Sequence, residues 1–389
     1  MQMSNAPAAS MIKASYKLPW LSSARWDTLF ILSPALLSSA LVLIFKNEME
    51  ATRNVPLWVW VCFVLLIDVA HVYATLFRTY LQPKAFTQHR VLLLAAPLLC
   101  WMVGSLLYSF DALYFWRVLA YLAVFHFIRQ QFGFLKLYSR KEPPAFAKYK
   151  WLDVGFIYLA TLYPLMFWHT HLPRNFSWFV DGDFVETVPA FCSQVALITY
   201  GLAASLYVIK EIWLYAKTSY LNVPRNLLVL ATAVSWWVGI IAVNSDMAFT
   251  ITNVVSHGIP YMALVWLFHH GEATGSTPTS KPNGDQSGKF VAAILAHAAA
   301  FFLFLALLAY FEEGFWDGLV WREHMSLFFP FARLPAISDP ALLAILVPFL
   351  ALPQSTHYVL DGFIWRIKDG KSAWGVTQLL RSADGRKVL

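Results

Sequence analysis

Four histidines, His71, His126, His257 and His357, stand inside long apolar runs of the sequence, each with polar company at helical spacing. An ionisable side chain at membrane depth is costly and marks a functional site by default. In IDVAHVYATLFRTY, Asp68 comes three residues before His71 and Arg78 seven after it. In VFHFIRQQFGF, Gln130 follows His126 by four, with Arg129 and Gln131 on either side of it. In TNVVSHGIPYM, Asn253 precedes His257 by four and Tyr261 follows by four. In PQSTHYVLDGFIWR, Gln354, His357 and Asp361 fall three and four apart and so share one helical face.

Three or four neutral imidazoles bind Fe(II), Zn(II) or Cu. A four-histidine set with no carboxylate ligand leaves positions open on an octahedral iron, which suits oxygen chemistry. The expected cofactor is therefore Fe(II), with Zn as the alternative, and His71, His126, His257 and His357 are the expected ligands. A metal-bound imidazole donates its other N–H to a carboxylate or carbonyl. Asp68 and Asp361 are spaced to serve His71 and His357 in that way, and Gln130, Asn253 and Tyr261 to hydrogen-bond oxygen or substrate. Zinc hydrolysis normally wants a nearby Glu, as in HExxH, and no such motif is present. Nor are there the clustered HxxxH and HxxHH boxes of membrane desaturases, which argues against a di-iron centre.

Other readings compete. The histidines could titrate in a proton- or ion-coupled transporter. They could also be interhelical hydrogen bonds, worth about 1 kcal/mol or less each. A transporter usually has paired halves with breaks at matching places. Pro260, Pro348 and Pro353 interrupt late spans, but no matching first half is visible. A third reading is a zinc-dependent intramembrane hydrolase or transferase. His89, His169, His171, His269, His270 and His324 fall at run ends or in loops, as ordinary interfacial residues, and His297 in ILAHAAAFF reads as a packing or interhelical residue.

The elements that carry these residues are long apolar helices. Of 389 residues, 59% are hydrophobic and 13% charged, with mean hydropathy +0.55. Soluble domains run about 45–50% apolar and about 25% charged. A span needs about 20 mostly apolar residues, and ten candidates appear: 27–45, 56–80, 91–110, 112–137, 151–170, 190–216, 226–244, 247–270, 289–311 and 340–366. Lys and Arg concentrate in the N-terminal tail, after every second span and in the C-terminal tail. That bias predicts an even number of spans with both termini in the cytoplasm. The expected fold is thus an all-α, ten-helix membrane bundle over 27–366, between cytoplasmic tails 1–26 and 367–389. A flexible cytoplasmic loop is expected at 271–289 and an outer interfacial segment at 312–339. The four histidines lie ten to seventeen residues into even-numbered spans, so at about 1.5 Å per residue they fall in one slab roughly 10 Å thick.

The net charge of +7 is explained by cytoplasmic Lys/Arg bias, and no basic run with interleaved aromatics points to nucleic acid. Cys62, Cys100 and Cys192 have no disulfide or CxxC spacing. The N-terminal stretch lacks the apolar core of a signal peptide.

The stretch Pro353, His357, Asp361, Arg366 resembles the last helix of the bacterial membrane beta-carotene cleavage dioxygenases, the bacteriorhodopsin-related-protein-like family. His257–Gly258 is similar to that family's His-Gly motif, and His126 with Arg129, Phe132 and Phe134 to its helix of a histidine followed by basic and aromatic residues. The His-Gly motif comes first in that family and third here, and the family's histidine pair four apart is absent. The resemblance implies a helical bundle around one non-haem iron held by histidines, with dioxygen as co-substrate. It also implies a tunnel for a carotenoid or another isoprenoid. With it, the expected protein is an oxygenase of a bacterial cytoplasmic membrane whose partners are a lipid-soluble substrate, O2 and membrane lipids.

Overall fold

A computed structural model describes residues 18–52, 55–273, 294, 297–365 and 374, except for the side chains of 270–273. Every regular element among them is a helix. Among the described residues, nine helices are long and apolar enough to cross a membrane: α1 (Ala24–Ile44), α2 (Leu57–Arg78), α3 (Pro83–Phe110), α4 (Ala112–Tyr138), α5 (Lys150–Thr170), α6 (Phe191–Thr218), α7 (Val223–Ala242), α8 (Asp246–His269) and α9 (Ala298–Trp321). A tenth span, α10, is a pair, Pro340–Leu350 and Leu352–Ile364, bent by 45°. This is the architecture of a multi-pass membrane protein.

Local chemistry sets the ends. Only Asp111 separates α3 from α4, and its carboxylate accepts the Leu113 N–H at 2.8 Å, capping α4. Asn222 caps α7 in the same way, ahead of Pro224 in the first turn, and Asp339 caps α10 ahead of Pro340. Pro348 and Pro353 flank the bend of α10, because proline removes a backbone donor and clashes with the preceding turn. The bend begins a fresh helix five residues before His357.

Burial sorts the helices. In α8, 89% of the most apolar stretch is buried against the rest of the protein, but only 11% in α6 and 17% in α3. So α8 is the central helix, packed on α1, α2 and α7, while α6 leans on α5. The outer faces show Val91, Leu94, Ile198, Leu202 and Ile212 at 60% exposure or more. Such a continuous apolar surface is tolerable against lipid, not water.

The structure corrects several expectations. Helix α9 starts at Ala298, and His297 is an exposed residue at its N-terminal end rather than one buried inside a span; among the described residues no side chain bridges to it. The same helix continues to Trp321, into what reads by sequence as an interfacial loop. His269 is buried rather than interfacial, at 6% exposure. The expected tail 367–389, apart from Trp374, and most of the expected loop 271–289 lie outside the described residues, as does most of the tail 1–26.

Arg225 counts by sequence as a loop charge, yet it is fully buried among α5, α6 and α7. Its guanidinium meets Glu142 (2.5 Å), Asp153 (3.4 Å) and Glu211, while Lys210 bridges Asp153 and Glu211 (2.6 Å). Burial raises the Glu142 carboxyl above its ordinary range, and the Arg225 charge pulls it back. Three carboxylates and two cations answer one another there, so removing one partner strands the others. Arg225→Met should cost about 3–5 kcal/mol, seen as a large fall in unfolding temperature in detergent, with a tolerated substitution counting against a structural role.

Candidate metal centre

The histidines of α2, α4, α8 and α10 meet at one point. One ligand nitrogen from each of His71, His126, His257 and His357 lies within 4.8 Å of the others, and all four side chains are buried. His257 Nε2 is 3.1 Å from His71 Nε2 and 3.1 Å from His126 Nε2. Two nitrogens bound to one ion at about 2.0–2.1 Å, at tetrahedral or octahedral cis angles, stand about 2.8–3.4 Å apart, so the spacing suits a single metal.

Hydrogen-bond partners on the far side of three of the rings decide which nitrogen faces inward, while His257 Nδ1 meets no hydrogen-bond partner among the described residues. His71 Nδ1 is 3.3 Å from the Ile67 carbonyl, which can only accept, so Nδ1 carries the proton and Nε2 keeps its lone pair. His126 Nδ1 faces Asp361 Oδ2 at 3.5 Å, with the same consequence. Tyr261 donates to Asp361 Oδ1 at 2.7 Å, so Thr75 Oγ1 donates to Tyr261 at 2.8 Å. His357 Nδ1 must then donate to Thr75, at 2.6 Å. His357 Nε2 is left bare, and no hydrogen-bond partner reaches it. A proton on His257 Nε2 would satisfy two neighbours but not His357. A metal cation at the centre satisfies all four. The donor set therefore fits a metal ion, and its neutral imidazoles suit Fe, Zn or Cu.

Packing holds the rings. Phe127 stacks on His257 at 3.7 Å between centroids. A Cβ on Gly258 would come 2.8 Å from Ile67 Cγ2 and 3.1 Å from the Ile67 carbonyl that anchors His71. Glycine therefore allows α8 to approach α2 closely enough for His257 and His71 to meet. A π-helical stretch, Trp60–Val69, precedes His71; such turns recur at functional sites.

Some of the expected partners are reassigned. Asp361, spaced for His357, is 3.9 Å from that ring and serves His126 instead. Asp68 is 3.8 Å from His71, and its half-exposed side chain turns into a cavity while the Ile67 carbonyl takes its place. Gln130 donates to the His257 carbonyl at 3.0 Å and Tyr261 is engaged with Thr75 and Asp361, so both brace the site instead of facing substrate. Asn253 alone among these candidates for substrate contact lines the cavity, although its amide also donates to the Phe249 carbonyl. Thr75 was missed by sequence reasoning, although it sits four residues after His71; so was the stacking role of Phe127.

The cavity, about 730 Å³, is also lined by residues of the segments 177–179 and 321–324. Asp68, Phe127, Asn253, Val254, Gln354 and Tyr358 form its inner end, each within one helical turn of a histidine of the cluster. No family model matches the chain, and no similar curated protein or solved structure was found.

Orienting partners of metal ligands typically carry 10–100-fold in affinity. Asp361→Asn should therefore weaken metal binding by about that factor, and Gly258→Ala should weaken it by displacing His71. Asp68→Asn should change it little. Competition against a chelator of known affinity measures all three, and an Asp68→Asn effect larger than that of Asp361→Asn would overturn the assignment.

Proposed function

We propose that the protein is a membrane-embedded, mononuclear non-haem iron oxygenase acting on a lipid-soluble substrate. What carries this reading is the convergence of four buried imidazole nitrogens with a bare lone pair at His357 and no carboxylate among them. Four neutral ligands leave coordination positions open, and iron bound there would supply the activation of dioxygen.

The chain's own residues do the rest. His71, His126, His257 and His357 hold the ion. Ile67, Asp361 and Thr75 fix three of the rings in the tautomer that presents Nε2. Tyr261 joins Thr75 to Asp361, so two of those supports come from one hydrogen-bonded unit. Phe127 and Tyr358 shield the site, and substrate would approach along the cavity past Asn253 and Gln354. A water-poor setting of this kind strengthens electrostatic interactions and limits side reactions. Of the family resemblance, the iron, histidine and dioxygen chemistry is retained. A pure hydrocarbon polyene would gain nothing from the carboxylates that face the cavity.

Elemental mass spectrometry of the purified protein tests the reading. Wild type should hold one iron per chain, lost in His357→Ala and kept in His297→Ala, with substrate turnover that stops under strict anaerobiosis. One zinc with the same pattern would move the chemistry to hydrolysis or group transfer. Folded wild-type protein that binds neither metal would overturn the enzyme reading in favour of a transporter whose histidines titrate.

A further inference from the structure

Five carboxylates, Asp68, Asp246, Glu313, Asp317 and Glu323, line the cavity, and no Lys or Arg is among its described lining residues. The nearby guanidiniums are engaged elsewhere: Arg322 donates to the Ala332 and Leu334 carbonyls, and Arg174 to the Ile240 carbonyl. His324 is the lone imidazole of the lining, and it stacks on Trp60 at 4.2 Å. Like charges facing one partly dry space repel, and a cationic occupant relieves them. Asp317 shows the gap most directly. It is 3% exposed; its Oδ1 accepts the His324 N–H at 2.7 Å, and its Oδ2 has no hydrogen-bond partner.

The remaining walls are aromatic. Trp60, Trp116, Trp178, Trp316 and Trp321 all face the same space. Trp316 and Trp321 stack at 5.8 Å, and Trp116 lies 6.1 and 6.0 Å from them. Indole faces attract cations within about 6 Å, above all weakly hydrated organic ones. An inorganic cation would need several ligand atoms converging on one point, and among the described residues only the four histidines form such a group.

We propose that this chamber binds an organic cation, the alkylated ammonium end of an amphiphile. Its apolar part would extend past Val69, Val254 and Phe127 toward the four histidines. The proposal rests on the reading of that cluster as the reaction centre, and it narrows the substrate class to a lipid-soluble molecule with a cationic nitrogen.

The test uses the full chain in maltoside micelles, which carry no ammonium, with hexyltrimethylammonium as the probe and tryptophan fluorescence as the readout. Hexyltrimethylammonium should quench saturably, while hexyl sulfate and hexanol should not compete. Tetramethylammonium should bind at least about tenfold more weakly; equal binding would mean a small cation and overturn the amphiphile. Asp317→Asn and the more exposed Glu323→Gln should each weaken the probe severalfold, with metal content confirming an intact fold. Equal response to the sulfate or the alcohol, or unchanged affinity in both variants, would overturn the chamber's role. Metal content keeps the two readings apart. Metal-loaded protein indifferent to probe charge sinks the cation site alone, whereas metal-free protein that still selects the cation sinks the reaction centre.

Discussion

Four imidazole nitrogens that point at one spot in an apolar interior impose the main constraint on this fold. Their lone pairs repel unless something electron-poor sits between them. Each ring must also be turned the right way, because the alternative tautomer would aim an N–H at the centre. Helices α2, α4, α8 and α10 therefore have to agree in depth, rotation and spacing within a few ångströms. The close approach at Gly258, the break in α10 before His357 and the π-helical stretch before His71 all bear on that agreement.

The supporting shell shows how little polarity this requires. One backbone carbonyl, one threonine, one tyrosine and one aspartate orient three rings. Tyr261 and Thr75 are shared between His357 and Asp361, so the orientation of one ring is linked to that of another. A buried carboxylate is expensive in such surroundings, and Asp361 is offset by the Tyr261 hydroxyl and the His126 ring.

Two other polar systems follow opposite logic. In the Glu142, Asp153, Lys210, Glu211, Arg225 cluster the charges answer one another across three helices, which is how a buried network serves a fold. In the cavity the carboxylates share one sign and face a space lined with indoles. The charges of the first system are balanced internally, whereas no Lys or Arg among the described lining residues balances those of the cavity.

Sequence alone determined the helical class, the ten spans to within a few residues at most ends, and the four histidines as a set. Each of these is a local property. Apolar run length sets a span, and a histidine inside one stands out because of its cost. Spacing along one helix also placed Asp361 on the same face as His357. It could not say which ring that carboxylate would reach, because His126 lies on another helix and their meeting depends on how α4 and α10 rotate against each other. The same reason hid Thr75, whose partners come from α8 and α10, and the buried state of Arg225, which sequence counts as a loop charge. It misplaced His297, since the start of α9 depends on where the helix begins and not on the apolar run around it. The acidic, tryptophan-lined cavity was invisible for the most tertiary reason: its walls come from five helices and three connecting segments, and only their packing brings those side chains around one space.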